Sequence, residues 1–149
     1  NEDNFDAVMA LNLRATFFVS QRVARRMRAG GKGGSIIHIS SQMGHVGGPE
    51  RSVYCASKFA LEGLTRTMAL ELGDAGIRVN TLCPTFIETD LTRPALADPT
   101  FCQYVLDNIK LRRLGRLEDI MGPVVFLASD AAGLITGSAL MVDGGWTAT

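Results

Sequence analysis

The stretch Ser35-Ile36-Ile37-His38-Ile39-Ser40 is short, apolar and rich in β-branched residues. It follows a run of glycines and precedes a polar loop, which is the pattern of a buried strand over 35–40. Two similar stretches, 77–83 and 138–142, predict a second and a third strand. Strands set this far apart in sequence predict a parallel sheet, because parallel neighbours need long crossover connections.

Apolar residues at helical spacing predict helices around these strands, over 3–29, 53–73, 101–110 and 117–128. Residues 84–99 are predicted as a loop with short helical pieces. The alternation of helix and strand predicts an α/β fold with right-handed crossovers, a Rossmann-like doubly wound parallel sheet. The chain holds its C-terminal part, three strands with flanking helices.

The glycines between residues 30 and 34 lie after a helix and before a strand. A phosphate-binding turn needs the opposite order, with a helix N-terminus aimed at the phosphates. We therefore interpret these glycines as the end of the first helix. No G-x-G-x-x-G turn follows a strand anywhere in the chain.

Composition excludes several classes of function. The 149 residues suffice for one domain, and 15 basic and 15 acidic side chains cancel. Because the chain has no basic excess, we expect no nucleic-acid partner. The basic run 22–28 is interpreted as a solvated helix end, with a polyanion site as the alternative. No apolar run approaches the roughly 20 residues that span a bilayer, so we expect no membrane partner.

Cysteine usage indicates a reducing compartment. Cys55, Cys83 and Cys102 have no C-x-x-C spacing and predict neither disulfides nor a zinc site, so no metal ligands are predicted. Reduced thiols, together with the polar residues that open the chain, predict a cytoplasmic protein.

Tyr54 and Lys58 lie four residues apart near the start of a predicted helix, so they share one face. A free phenol has a pKa of about 10 and is a poor acid or base at neutral pH. A nearby ammonium favours its phenolate, which makes such a pair suitable for proton transfer. This spacing is also common by chance on helix surfaces.

Two further residues give that pair a context. Ser41 follows the first predicted strand, and ligands of parallel sheets bind outside the carboxyl ends of the strands. A hydroxyl there can hold a substrate oxygen while Tyr54 delivers a proton. Asn12 lies in the first predicted helix. It is either a buried amide satisfied by backbone or the site of a kink that holds a water linked to Lys58.

Several motifs in order along the whole chain resemble the short-chain dehydrogenase/reductase family. LNLRATF (11–17), IHISS (37–41) and YCASK (54–58) are similar to its segments with the active-site asparagine, serine and tyrosine–lysine pair. IRVNTLCP (77–84) is similar to the strand before its nicotinamide loop. Further matching stretches are LGR (114–116), FLASD (126–130), ITG (135–137) and VDGG (142–145).

The resemblance implies an NAD- or NADP-dependent enzyme that transfers a hydride between nicotinamide and a secondary alcohol or ketone. Tyr54 is then the acid/base, Lys58 assists it and binds the nicotinamide ribose, Ser41 orients the substrate and Asn12 supports a proton-relay water. The implied cofactor-binding residues are Tyr54, Lys58, Pro84, Ile87 and Thr89. Thr85 departs from the family's usual Pro-Gly pair, which puts the shape of this loop in doubt.

The family's Gly-rich dinucleotide turn has no counterpart in the sequence, so residues 1–149 are interpreted as the catalytic portion of a longer enzyme. A chain that has lost activity is the alternative, and the choice between NAD and NADP stays open. Substrates of the sugar, polyol or 3-oxoacyl type are expected. Residues 89–111 are predicted to form a substrate lid, and Gln42, Met43, His45, Glu50 and Arg51 are candidate pocket residues.

Two other functions are compatible with this sequence. One is a non-catalytic oligomerisation module, in which outward apolar residues pack against a second copy as a homodimer or homotetramer. The residues proposed for this face are Phe17, Phe18, Leu61, Leu64 and Met68. The other is epimerisation or dehydration on the same scaffold.

Overall fold

The computed structural model describes residues 1–148. The N-terminal helix consists of three consecutive segments: α1 (Glu2–Met9), a π-helical segment (Ala10–Ala15) and α2 (Thr16–Gly30). Gly31, in a left-handed conformation with φ of 64°, caps α2. The glycine-rich stretch is thus a helix end, as predicted.

The other elements agree closely with the predicted ranges. The helices are α3 (Ser52–Leu72), α4 (Arg93–Leu96), α5 (Pro99–Asn108) and α6 (Leu117–Ala128). The strands are β1 (Gly34–Ile39), β2 (Ile77–Pro84) and β3 (Ala139–Val142). The bounds of α6 are those predicted, and the strand ends differ from the prediction by at most one residue.

The three strands form a parallel sheet in the order β1-β2-β3. Ile36 pairs with Val79, and Leu82 pairs with Leu140. The α/β fold with parallel strands is therefore confirmed. Because all strands run the same way, the ends of β1 and β2 deliver Ser41 and Pro84 to the same edge of the sheet.

Alternate residues of β2 face opposite sides of the sheet. Ile77 and Val79 pack with Met68 and Leu72 of α3 in one core, whereas Leu82 packs with Leu127 of α6 in another. A third cluster joins α5 to the C-terminal segment through Val105, Ile109 and Trp146. The first two clusters cover opposite faces of the sheet with apolar side chains, so the sheet is the central layer of the fold.

The basic run at the end of α2 lies on a solvated helix end. Arg28 contacts Asp74 at 2.7 Å and donates a hydrogen bond to the Glu71 carbonyl. No helix within residues 1–148 combines the length and the apolar character needed to cross a bilayer.

The proposed outward apolar face is only partly correct. Phe17 and Phe18 are exposed and pack edge to face with each other. Leu61 and Met68, by contrast, are buried. The prediction that they point outward is wrong because these faces of α3 pack against the sheet and α2 rather than solvent.

Candidate active site

A cleft of about 440 Å³ opens at the carboxyl ends of β1 and β2. Its walls come from the segment after β1, the first turns of α3 and the segment after β2. Six of the seven predicted catalytic and cofactor-binding residues line it: Ser41, Tyr54, Lys58, Pro84, Ile87 and Thr89. Residues up to 48 positions apart in sequence, Ser41 to Thr89, thus meet in one place.

Tyr54 and Lys58 lie one turn apart on α3, as predicted. The Lys58 ammonium nitrogen lies 5.5 Å from the centre of the Tyr54 ring and donates a 3.0 Å hydrogen bond to the Ile39 carbonyl. This bond anchors the side chain to the end of β1. Burial lowers the pKa of Lys58, an effect that the negative charge of Glu62 opposes.

Ser41 has extended backbone and caps a short 3₁₀ helix, Gln42–Gly44. Its hydroxyl oxygen accepts a 3.1 Å bond from the Met43 amide. A hydroxyl that accepts in this way keeps its own hydrogen available to donate. Ser41 therefore presents an O–H donor inside the cleft.

Asn12 does not line this cleft. Its position in the π-helical segment supports the interpretation of a local irregularity in the helix. Its amide nitrogen donates a 3.0 Å bond to Ser57 Oγ, so its partner is a side chain and not the expected backbone group. Asn12 and Lys58 line a second hollow, of about 500 Å³, whose walls come mainly from the N-terminal helix and β1. The lysine therefore connects both cavities.

The segment after β2 is held by its own polar contacts. Thr92 Oγ1 donates to the Ile87 carbonyl at 2.6 Å and contacts Thr89 Oγ1 at 3.2 Å. Ile87 also pairs in parallel with Gly115, where an added Cβ would collide with the Ile87 side chain. The end of the Ile87 side chain thus packs directly over Gly115 of the LGR motif. Thr92 was missed in the sequence, although the Thr-x-x-Thr spacing signals it.

Thr85 is accommodated without strain. Glu50 and Arg112 are the residues other than glycine with positive φ in the described chain, so position 85 needs no glycine. Its hydroxyl oxygen is buried in the wall and has no hydrogen-bond partner within residues 1–148. A ligand that offers an amide fits such an orphaned group, since unpaired buried hydroxyls are costly.

The candidate substrate residues separate into two groups. Gln42, Met43 and Arg51 line the cleft, whereas Glu50 lines a neighbouring hollow. His45 does not line the cleft but contacts Cys83 and Glu62.

The predicted lid reaches the cleft only at its start. Thr89, Leu91 and Thr92 line the cleft. Helix α5 instead packs through Phe101 against Phe86. Residues 93–111 do not line the cleft, and Phe101 packs against Phe86 of its wall.

Comparison with known proteins identifies the family of the chain. The family model described as enoyl-(acyl carrier protein) reductase matches residues 1–147. L-xylulose reductase of Bos taurus is 42% identical over 148 residues, which cover 99% of this chain and 61% of that protein.

Solved structures match the whole chain. The gluconate 5-dehydrogenase of Burkholderia cenocepacia, in complex with NADP and tartrate, has a TM-score of 0.96 at 36% identity, and the match covers 58% of its chain. A 4-hydroxyisoleucine dehydrogenase complexed with NADH has a TM-score of 0.95 at 40% identity, with 61% of its chain covered. The present chain thus spans about three fifths of the length of these relatives. From the family match, the identities and the shared fold, the chain belongs to the short-chain dehydrogenase/reductase family.

Proposed function

We propose that the protein is an NAD- or NADP-dependent oxidoreductase that interconverts a secondary alcohol and a ketone on a sugar, a polyol or a sugar acid. The observation that carries this proposal is the meeting of Ser41, Tyr54 and Lys58 in one cleft with the loop of Pro84, Ile87 and Thr89. The relatives with sugar and sugar-acid names support this substrate class.

In the reducing direction, Tyr54 donates its phenolic proton to the carbonyl oxygen of the substrate. A nicotinamide cofactor, when bound, would supply the hydride that the carbonyl carbon receives. The C=O double bond becomes a C–O single bond, and the products are the alcohol, the oxidised cofactor and the Tyr54 phenolate. Ser41 donates a hydrogen bond to the same substrate oxygen and holds it in place.

Lys58 assists this step in two ways. Its positive charge stabilises the phenolate that forms on Tyr54. Because burial lowers its pKa, Lys58 releases a proton more readily than an exposed lysine does. It reaches the hollow that Asn12 lines, so we propose that a water there carries the replacement proton to it.

The nicotinamide end of the cofactor would be held by Tyr54, Lys58, Pro84, Ile87 and Thr89. The orphaned hydroxyl of Thr85 adds a further polar group to this wall. NADP in one structural neighbour and NADH in another support a nicotinamide cofactor without choosing between the two.

We further propose a homodimer or a homotetramer in the cytoplasm. The exposed pair Phe17 and Phe18 on α2 supports self-association. The free thiols of Cys55, Cys83 and Cys102 support a reducing compartment.

The deciding experiment is Tyr54→Phe in the full-length protein, assayed with a panel of sugars, polyols and sugar acids. We expect turnover to fall by about 10²- to 10⁴-fold, the usual contribution of general acid–base catalysis, while cofactor binding by fluorescence titration persists. The matched control is Tyr104→Phe, since Tyr104 packs outside the cleft against Phe101 and Trp146. Normal turnover by Tyr54→Phe, or no nicotinamide binding by the parent protein, would overturn the proposal.

A further inference from the structure

Three side chains that can ligate a metal meet beneath the cleft: His45, Glu62 and Cys83. His45 ends the 3₁₀ helix after β1, Glu62 projects from α3 and Cys83 lies on β2. Glu62 and Cys83 are 5% and 0% exposed. Their spacing in sequence, 17 and 21 residues, matches no linear metal motif, so only the fold brings them together.

The three potential ligand atoms form a nearly equilateral triangle. Cys83 Sγ lies 3.5 Å from His45 Nε2 and 3.4 Å from Glu62 Oε1. His45 Nε2 lies 3.4 Å from Glu62 Oε1. A tetrahedral zinc ion, with bonds of about 2.3 Å to sulfur and about 2.1 Å to nitrogen and oxygen, separates these atom pairs by about 3.6, 3.6 and 3.4 Å.

We propose that His45, Glu62 and Cys83 form a binding site for a divalent zinc ion, which the family's chemistry at Tyr54 does not require. Thiolate, imidazole and carboxylate together favour zinc over magnesium or calcium, which prefer oxygen ligands. On binding, the Cys83 thiol releases its proton to solvent and the sulfur bonds to the ion.

Cys83 makes hydrogen bonds along two edges of this triangle, and the histidine–glutamate contact is the edge that has none. The separation of 3.4 Å exceeds the 2.7–3.2 Å range of ordinary N–H···O hydrogen bonds. No lysine or arginine nitrogen within residues 1–148 lies within 4.0 Å of the Glu62 carboxylate. A buried, ionised carboxylate destabilises the folded protein unless a cation lies close to it, and a zinc ion supplies that positive charge.

Two neighbouring hydroxyl groups complete the surroundings of the site. Thr81 Oγ1 donates a 2.9 Å bond to Glu62 Oε2 and so orients the carboxylate from outside. Ser40 is 4% exposed, and its hydroxyl oxygen, which lies beside the Cys83 thiol, has no nitrogen or oxygen partner in the described part of the chain. A Cβ on Gly44 would lie 3.0 Å from Ser40 Oγ and 3.3 Å from Glu62 Oε1, so both polar groups border one spot. A zinc-bound water in the fourth position gives Ser40 its partner.

The ion links the two walls of the cleft. His45 follows Gln42 and Met43, which line the cleft, and Cys83 precedes Pro84. A bond from the histidine through zinc to β2 fixes these segments relative to each other. Its role is structural, because neither His45, Glu62 nor Cys83 lines the cleft itself.

The test is zinc binding by the full-length protein, purified without a histidine tag and stripped with a chelator. Calorimetric titration with Zn²⁺ is expected to show a site that Cys83→Ser and His45→Gln both remove. Co²⁺ is expected to give thiolate charge-transfer absorption that Cys83→Ser abolishes. Thr81→Val is expected to weaken zinc affinity by about 10- to 100-fold, the usual cost of losing an outer hydrogen bond.

The controls use groups outside the cluster. Cys102→Ser removes a half-buried thiol on α5 and is expected to bind zinc as the parent does. His38, the other histidine, already has hydroxyl partners on both ring nitrogens. Cys83 is fully buried, so Cys83→Ser can fail to fold. In that case His45→Gln decides whether the cluster binds zinc, because the His45 side chain is 24% exposed and its replacement disturbs the core less. Zinc binding unchanged in folded His45→Gln, or absent from the parent protein, would overturn the proposal.

Discussion

The amide of Asn12 donates a 3.0 Å hydrogen bond to Ser57 Oγ, which itself donates at 2.7 Å to the carbonyl oxygen of Tyr54. The π-helical segment is thereby tied to the N-terminal part of α3, which carries the proposed acid/base pair Tyr54 and Lys58. Ser57 is fully buried, so solvent does not compete for this contact. Asn12 is thus connected to Tyr54 through Ser57 rather than by direct contact.

This connection predicts energetic coupling between Asn12 and Ser57. Asn12→Ala and Ser57→Ala should each destabilise the protein, and the double variant should cost less than the sum, by about 1 kcal/mol. Urea denaturation of the four proteins measures the coupling. Asn4→Ala, at an exposed position of α1, is the control and should change stability little. Strict additivity would mean that the hydrogen bond contributes nothing.

The position of Arg51 in the cleft wall predicts that the enzyme prefers acidic substrates. Within the described chain, Arg51 and Lys58 are the cationic side chains that line the cleft. Arg51→Gln should raise KM for sugar acids by about 10- to 100-fold, the equivalent of one charge-assisted hydrogen bond. Neutral polyols should keep their KM, because they offer no carboxylate.

Steady-state kinetics with a matched acid and polyol measures this selectivity. The control is Arg93→Gln, an arginine that pairs with Asp90 outside the cleft. Equal losses for acidic and neutral substrates would contradict a role in charge recognition.

Much of this fold follows from local pattern. The apolar, β-branched stretches placed all three strands to within one residue, because both faces of the sheet are covered by helices. Helix α6 was placed at its bounds, 117–128. Ser41 and Pro84 could be assigned to one edge of the sheet because parallel strands end at a common edge, whereas Tyr54 was identified by its spacing to Lys58 and by the family resemblance.

Other features depend on contacts that sequence spacing does not encode. The sequence predicted one uninterrupted helix over 3–29, with a kink at Asn12 only as an alternative, and the π-helical segment Ala10–Ala15 became visible only in the structure. Leu61 and Met68 were predicted to point outward but are buried, because an apolar stripe on a helix does not indicate whether a second copy or the chain's own sheet covers it. The cluster of His45, Glu62 and Cys83 needs three elements folded together before it exists.

His38 predicts a loss of stability in acid. Burial lowers the pKa of His38, against the opposing attraction of Glu62. The unfolded chain therefore binds the proton more readily, and stability is fully present above the unfolded pKa of about 6.5 and falls as the pH drops below it. His38→Gln should reduce the slope of unfolding free energy against pH in this range, by up to about 1.4 kcal/mol per pH unit. Urea denaturation at a series of pH values measures the slope, and an unchanged slope in His38→Gln would assign the acid loss to other groups.

The variant Thr85→Val tests whether the unpaired hydroxyl of Thr85 forms a hydrogen bond with the bound cofactor. Thr85→Val keeps the shape but removes a buried oxygen that has no partner within residues 1–148, so the ligand-free protein should be as stable as the parent or more so, by about 1 kcal/mol. Thr89→Val is the matched comparison and should lower stability, because the Thr89 hydroxyl contacts Thr92. Affinity for the nicotinamide cofactor should fall about threefold to tenfold in Thr85→Val, the value of one neutral hydrogen bond. Thermal denaturation and fluorescence titration separate the two effects. If Thr85→Val raises stability and leaves cofactor affinity unchanged, the Thr85 hydroxyl destabilises the folded protein and does not bind the cofactor.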